Sequence, residues 1–322
     1  MIQRKLILTP IYFYYPNEIP ITLDYKSGLD CWILKTFWKL KEYEIDLNIQ
    51  LVNDIPKEGI VIFHKGFFLK DLKPNINQFF VCVQADYGRH QFAQCHIVQN
   101  PVGVNNFNFS KRSFFEEKLF SFTKSYFIAH WNQNDIIKRD SSRDKQFKNV
   151  CYFGIRENFP KELLESDFIR KLKKEGIELK IITDSNKWND YSQTDCVLAI
   201  RDFGNKSHYN KPFSKIINSY LAGVPVIAGN ESSAQFLKNH IALDLNIVEN
   251  SEECFNAIMH IKENYFNCQK SIESQKTQLI DFQDEQIIKN WKNLLQEMQQ
   301  NYHLWKQSNS FVKFVFFKYR KN

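Results

Sequence analysis

Residues 209–237 read YNKPFSKIINSYLAGVPVIAGNESSAQFL. Pro212 stands where the first turn of a helix tolerates a residue without an N–H, and Gly223 where a helix ends in a left-handed residue. The spacing therefore predicts a helix over Pro212–Ala222. The run that follows is apolar and β-branched, as in a strand buried on both faces, and predicts a strand over Val224–Ala228. A second helix follows over Ser233–Asn239. Helix, buried strand and helix in so short a stretch make a β/α repeat, and the fold class is α/β with a parallel sheet.

The pattern extends in both directions. Upstream lie predicted strands at Val150–Phe153, Glu178–Thr183 and Cys196–Arg201 and a helix over Lys161–Glu175; downstream come a strand at Asn246–Glu249 and a long helical stretch from Ser251. The first half repeats the alternation. Its strands are Arg4–Tyr14, Leu47–Val52, Gly59–His64 and Gln78–Gln84, and its helices are Gly28–Lys41, with Leu29, Ile33, Phe37 and Leu40 at helical spacing, and Phe114–Ser125. The polar, turn-rich run IAHWNQNDIIKRDSSRDKQFKN (128–149) reads as the connector. We expect two Rossmann-like domains facing across a cleft, over residues 1–140 and 141–290, and a terminal helix and tail over 291–322.

The 322 residues are 43% hydrophobic and 25% charged, which excludes a disordered chain and allows a deep core. The longest charge-free run, His90 to Ser110, is broken by glutamines and asparagines, so no segment is expected to span a bilayer. The basic N-terminus has no small-residue cleavage site and reads as a first strand, which points to the cytoplasm. Seven cysteines, an odd number without a CxxC pair, sit mostly inside apolar runs and read as reduced core residues, not zinc ligands. The net charge is +7, but Lys306, Lys313, Lys318, Arg320 and Lys321 follow Glu297 with no acid among them, so the body is nearly neutral. That argues against a nucleic-acid partner.

Ten glycines are under half the usual share of about 7%, so their placement is informative. Gly154 ends the strand VCYF and is followed by Ile155, Arg156 and Glu157. There the backbone can approach a ligand and a cation can meet an anion; the alternative is an ordinary strand-to-helix turn. At the start of helix Pro212–Ala222, Lys211 and Lys215 stand four apart with Ser214 between them. Two like charges at that spacing repel, and an anion held at the positive helix end would reverse the cost; the alternative is a solvated basic face.

The run KPFSKIINSYLAGVPVIAGNESS resembles the donor-site signature KPxTKLxNAxxAGVPxIxGxES of bacterial glycosyltransferases with the two-domain B-type fold. The likeness extends to VQADYGRHQFAQCHIVQNP (83–101) and to HWNQNDIIKRD and FKNVCYFG between 130 and 154, about half of the chain in dispersed blocks. The resemblance implies a nucleotide-sugar donor held by the second domain and a glycan or lipid-linked acceptor entering from the first. It implies that Gly154 and Arg156 meet the donor diphosphate, and that Lys211, Ser214, Lys215 and Asn218 meet phosphate and hydroxyls. Glu231 and Ser232 match the ES pair, with Glu231 accepting hydrogen bonds from vicinal hydroxyls. Asn210 and Asn218 stand where better-known retaining relatives carry two glutamates, so those carboxylates are not carried over.

Breaking a glycosidic bond to a diphosphate needs cations that grip the leaving group harder as its charge develops. Arg156, Lys211 and Lys215 supply them, and no DxD motif occurs, so neither metal nor other cofactor is expected. An inverting transfer also needs a base, for which Asp86, His64 and His90 are candidates at or near strand ends; Asp86 is otherwise a turn residue capping Gly88, and the histidines are otherwise structural. Arg201 is read either as facing the cleft or as pairing with Asp202. Trp188, Asp190 and Tyr191 form a loop where a base can stack or where the aromatics simply pack down. The tail FVKFVFFKY (311–319) is read as a peripheral membrane contact, as a helix packing back on the first domain, or as both. Two other readings stand beside transfer: a nucleotide-sugar epimerase or hydrolase on the same fold, and a non-catalytic partner subunit that binds sugar nucleotide.

Overall fold

The computed structural model describes residues 9–20, 27–43, 47–67, 72–107, 123–204 and 206–319. The chain divides into two compact units, Met1–Ala129 with Glu285–Asn322, and His130–Asp284. The helix expected over Phe114–Ser125 lies outside the described residues as far as 122, and Ser125 itself opens a strand.

Unit 1 holds β1 (Ile11–Tyr14), β2 (Ile49–Val52), β3 (Gly59–His64), β4 (Gln78–Val83), β5 (Cys95–Val98) and β6 (Ser125–Phe127). They form one sheet in the order β2-β1-β3-β4-β5-β6, parallel throughout. GIVIFH and QFFVCV are buried at every position, which is why they read as continuous apolar runs. The helix Gly28–Asp30 opens on a capping box between Ser27 and Asp30 and continues through a π-helical turn, Cys31–Lys35, into Thr36–Glu42. Gly59 has φ +105°, and a Cβ there would stand 2.8 Å from Tyr12 Cε2, so only glycine starts β3.

The helix Asp284–Gln307 brings the chain back to unit 1. Trp291 is fully buried beside Phe13 and Trp32. Tyr302 Oη accepts from Gly59 N–H (3.2 Å) and donates to the Asn77 carbonyl (3.0 Å), and Trp305 Nε1 donates to the Ile76 carbonyl (2.9 Å). The tail forms a further helix, Ser310–Tyr319, with Phe316 against Trp305.

Unit 2 holds β7 (Asn149–Phe153), β8 (Glu178–Ile182), β9 (Cys196–Ala199), β10 (Val226–Gly229) and β11 (Asn246–Val248) in the parallel order β11-β10-β9-β7-β8. Counted from its own first strand this is 2-1-3-4-5, the order that opens unit 1 as well, and each sheet is the doubly wound kind. Val150, Tyr152, Leu172, Leu198, Ile227 and Ile258 lie in its core.

From His130 onward the stretch read as a connector is part of unit 2. Arg139 Nε (3.0 Å) and Arg143 Nη2 (2.7 Å) donate to Asp195, whose side chain is wholly buried and also accepts from the backbone N–H groups of Lys148 and Asn149 (both 2.8 Å). The helix expected over Lys161–Glu175 is a 3-10 turn, Lys161–Leu164, then an α-helix, Ser166–Lys174, because Glu165 between them is extended. None of the seven cysteines forms a disulfide, and Cys82, Cys95, Cys151, Cys196 and Cys254 are buried. Among the described residues no helix is long and apolar enough to cross a membrane.

Candidate functional site

In unit 2 the chain leaves β7 toward one edge of the sheet and β9 toward the other, so the connections part at the carboxyl ends of these two neighbours. That divergence is where open α/β sheets leave a crevice for ligands. Gly154 follows β7, and its N–H donates to the Ile182 carbonyl (3.1 Å). Its φ of +154° is a conformation other residues rarely adopt. A Cβ would meet Tyr152 Oη at 3.1 Å and Lys215 Nζ at 3.2 Å. Gly154 and Lys215 therefore meet in space, although 61 positions separate 154 from 215.

Lys215 Nζ lies 4.1 Å from the centroid of the Tyr152 ring. Tyr152 is buried, donates its hydroxyl to the Asn158 carbonyl (3.1 Å) and packs its ring against Phe159. Burial pushes its pKa up to about 12, so it stays a neutral phenol and offers the ammonium a ring face. Nothing in VCYF distinguishes Tyr152 from an ordinary strand residue, and the sequence reading did not single it out. Arg156 is exposed in the turn Arg156–Asn158 just beyond Gly154.

The helix bearing Lys215 is Ser214–Ala222, two residues shorter at its start than expected. Pro212 lies before it, and Phe213 occupies the cap position without a side-chain bond. The first-turn N–H groups thus lack a side-chain cap from that residue. Lys211 is in the preceding turn, its N–H bonded to the His208 carbonyl (2.8 Å). Lys211 and Lys215 are therefore not a helical i, i+4 pair, and the expected repulsion along one helix face does not exist. Gly223 ends the helix in the left-handed conformation, as its position predicted.

Asn218 is buried, and its Oδ1 accepts from Gln133 N–H (3.4 Å), which ties the entry segment of unit 2 to this helix. Glu231 precedes the helix Ser232–His240, and Arg201 is bonded to both of its oxygens: Arg201 N–H donates to Oε1 (3.1 Å) and the guanidinium to Oε2. The pairing of Arg201 with Asp202 considered from sequence is not made. Asp202 instead accepts from His208 Nε2 (2.7 Å) and Gly204 N–H (2.9 Å). Burial raises the Asp202 pKa, but these bonds outweigh it and hold the carboxyl below its usual range. Asp202, Phe203, Ser207, Glu231, Ser232 and Gln235 line a cavity of about 370 Å³.

The aromatic loop is packed down. Trp188 donates its indole N–H to the Ile182 carbonyl (2.8 Å), and Tyr191 is buried against Phe153. Tyr191 offers no face for a base to stack on.

In unit 1 the candidates end two neighbouring strands. His64 closes β3 and is buried, its Nδ1 accepting from Gly66 N–H (3.0 Å). Asp86 is exposed in the turn after β4, beside Ala85 at φ +47°, and its Oδ1 accepts from Gln99 Nε2 (2.8 Å). His90 is buried edge-on to Phe63, with ring centroids 4.9 Å apart, and accepts from Phe92 N–H. Burial, aided by Lys65, pushes its pKa down to about 4, so it is a neutral packing group at pH 7. Of the three, only Asp86 presents an exposed carboxylate.

No family model and no curated protein matches this chain in sequence. Solved structures do match in shape. A sucrose-phosphate synthase from Thermosynechococcus elongatus aligns with 90% of this chain and 99% of its own, at 13% identity and a TM-score of 0.55. HepE of Anabaena, in complex with UDP and glucose, covers 89% and 99% at 10% identity and a TM-score of 0.54. An α1,3-fucosyltransferase with GDP covers 92% of each chain at 11% identity and a TM-score of 0.50. The chain has the two-unit α/β fold of the B-type glycosyltransferases.

Proposed function

We propose that this chain is a glycosyltransferase of the cytoplasm that moves a sugar from a nucleotide-sugar donor to a glycan or lipid-linked acceptor, without a metal ion. The observation that carries the reading is the meeting of Gly154 and Lys215 at the diverging strand ends of unit 2. A glycine turn that admits a ligand to the backbone, an ammonium seated on a buried phenol ring and the positive end of the helix Ser214–Ala222 converge there. Each favours an anion, and a diphosphate carries enough oxygens to use all three. HepE and the fucosyltransferase, which share the fold, are complexes with nucleoside diphosphates, in keeping with this reading.

In transfer, the bond between the sugar carbon and the diphosphate oxygen breaks, and a bond from that carbon to an acceptor oxygen forms. Lys215 and Arg156 gain attraction for the leaving group as its negative charge grows, which lowers the barrier without metal. Asp86 is the proposed base that takes the acceptor's hydroxyl proton. The pair Arg201–Glu231 has a different part: each neutralises the other, so Arg201 shapes the strand end and Glu231 lines the cavity without adding net charge.

The test is to incubate the protein with a panel of nucleotide sugars and follow nucleoside diphosphate release. Release that requires an acceptor and persists in chelator is expected. Release without acceptor would favour the hydrolase or epimerase, and binding without release the partner subunit.

A further inference from the structure

The helix Ser310–Tyr319 buries one side and presents the other to solvent. Phe316 is fully buried against Trp305, with ring centroids 5.4 Å apart, and Phe317 contacts Trp305 and Phe92. Lys313 is buried too, its Nζ donating to the Lys306 carbonyl (3.2 Å), so the segment is pinned to the end of the preceding helix. On the opposite side Phe311 is 71% and Phe314 58% exposed, and Lys318 Nζ lies 5.5 Å from the Phe314 ring. Positions 311, 314 and 318 follow helical spacing and share a face. With Phe316 and Lys313 anchored, the exposed rings cannot turn inward without undoing the packed side.

We infer that this face docks the protein on a lipid surface carrying anionic headgroups. The charge of this stretch of the sequence selects that occupant. After Glu297 the sequence has five Lys or Arg, at 306, 313, 318, 320 and 321, and no acid, and of these Lys318 lies on the exposed face. Exposed rings next to cations suit the boundary of a bilayer, where phenyl groups enter the acyl edge and ammonium groups stay at phosphate depth. Ten residues are too short to span a bilayer, so the helix lies on it. A second copy of the chain is a poorer partner, because pairing this face with itself opposes like charges. The inference is independent of the donor site, since it concerns unit 1 and needs no nucleotide.

Cosedimentation of the full chain with phosphatidylcholine vesicles, with and without about 30% phosphatidylglycerol, tests it. The protein should pellet with the anionic vesicles, and added salt should release part of it. The variants F311S/F314S and K318E should each bind at least about tenfold more weakly while keeping the parent's thermal melt. Failure of the parent to pellet, or unchanged binding by F311S/F314S, would overturn the inference. So would light scattering that shows a dimer dissolved by F311S/F314S without vesicle binding, which would assign the face to self-association.

Discussion

Lys215 and Asp86 make the sharpest tests because the proposed chemistry asks different things of them. The Lys215 ammonium rests on a ring that belongs to the sheet, so removing it should leave the fold standing and take away attraction for the diphosphate. Lys215→Ala should reduce donor affinity and kcat/KM by about ten- to a hundredfold at unchanged melting temperature, and Lys215→Arg should restore part of the loss. Unaltered kinetics would put the donor elsewhere. Asp86 accepts from Gln99 in an exposed turn, where Asn keeps an oxygen to accept that bond but loses basicity. Asp86→Asn should leave donor affinity intact and slow transfer by about a hundredfold or more, measured as product formed at saturating donor. Had the base been His90, its pKa of about 4 would make it a poor proton acceptor at neutral pH.

At the scale of elements, the stretch before β7 is fastened by one buried carboxylate. Asp195 receives two guanidinium groups and two backbone N–H groups; burial raises its pKa, and these bonds more than reverse the shift. Asp195→Ala would leave two mostly buried cations unpaired and should cost about 3–5 kcal/mol, read by denaturant unfolding. The sign with pH follows from the lowered folded pKa. The carboxylate's contribution is complete above the unfolded value, near 4, and disappears as pH falls through the lower folded value, so the parent and the variant should converge in strong acid. Sequence alone gives Asp195 no role, because its partners Arg139 and Arg143 lie in a stretch that looks like linker. What periodicity shows is continuous burial: β3 is legible to its last residue because GIVIFH has no polar residue before its end. β5 is not legible because CHIV is four residues within a polar, glutamine-rich run, and the start of the helix at Ser214 is ambiguous in sequence because Pro212 suits a first turn as well as the turn before one. The meeting of Gly154 with Lys215 was legible as two separate anion signals. The Tyr152 seat that joins them was not, since it depends on which side of a fully buried strand a side chain takes.

Over the whole molecule, the two units repeat one strand order but are closed differently. Unit 2 is a continuous stretch, 130–284, with its own sheet and core, whereas unit 1 is built from both ends of the chain. The returning helix supplies unit 1 with Trp291, Tyr302 and Trp305, and Tyr302 bridges the first residue of β3 to the segment that enters β4. Without it, Gly59 N–H and the Asn77 carbonyl lose their shared partner and Phe13 and Trp32 lose the indole packed beside them. A chain cut after Asp284 should therefore keep the unfolding transition of unit 2 and lose that of unit 1, while the fragment 130–284 should melt cooperatively alone. Tyr302→Phe is the mild form of the same lesion: Gly59 N–H still donates to the Asn77 carbonyl (3.2 Å), so unit 1 should lose only the net worth of the phenol's bonds, about 1 kcal/mol. Calorimetry distinguishes the cases: two transitions in the truncated chain would mean that the first sheet closes its core unaided. If the fragment melts cooperatively and still takes up a nucleoside diphosphate, the donor site is a property of unit 2 by itself, and the proposed base Asp86 can then be varied on unit 1 without disturbing it.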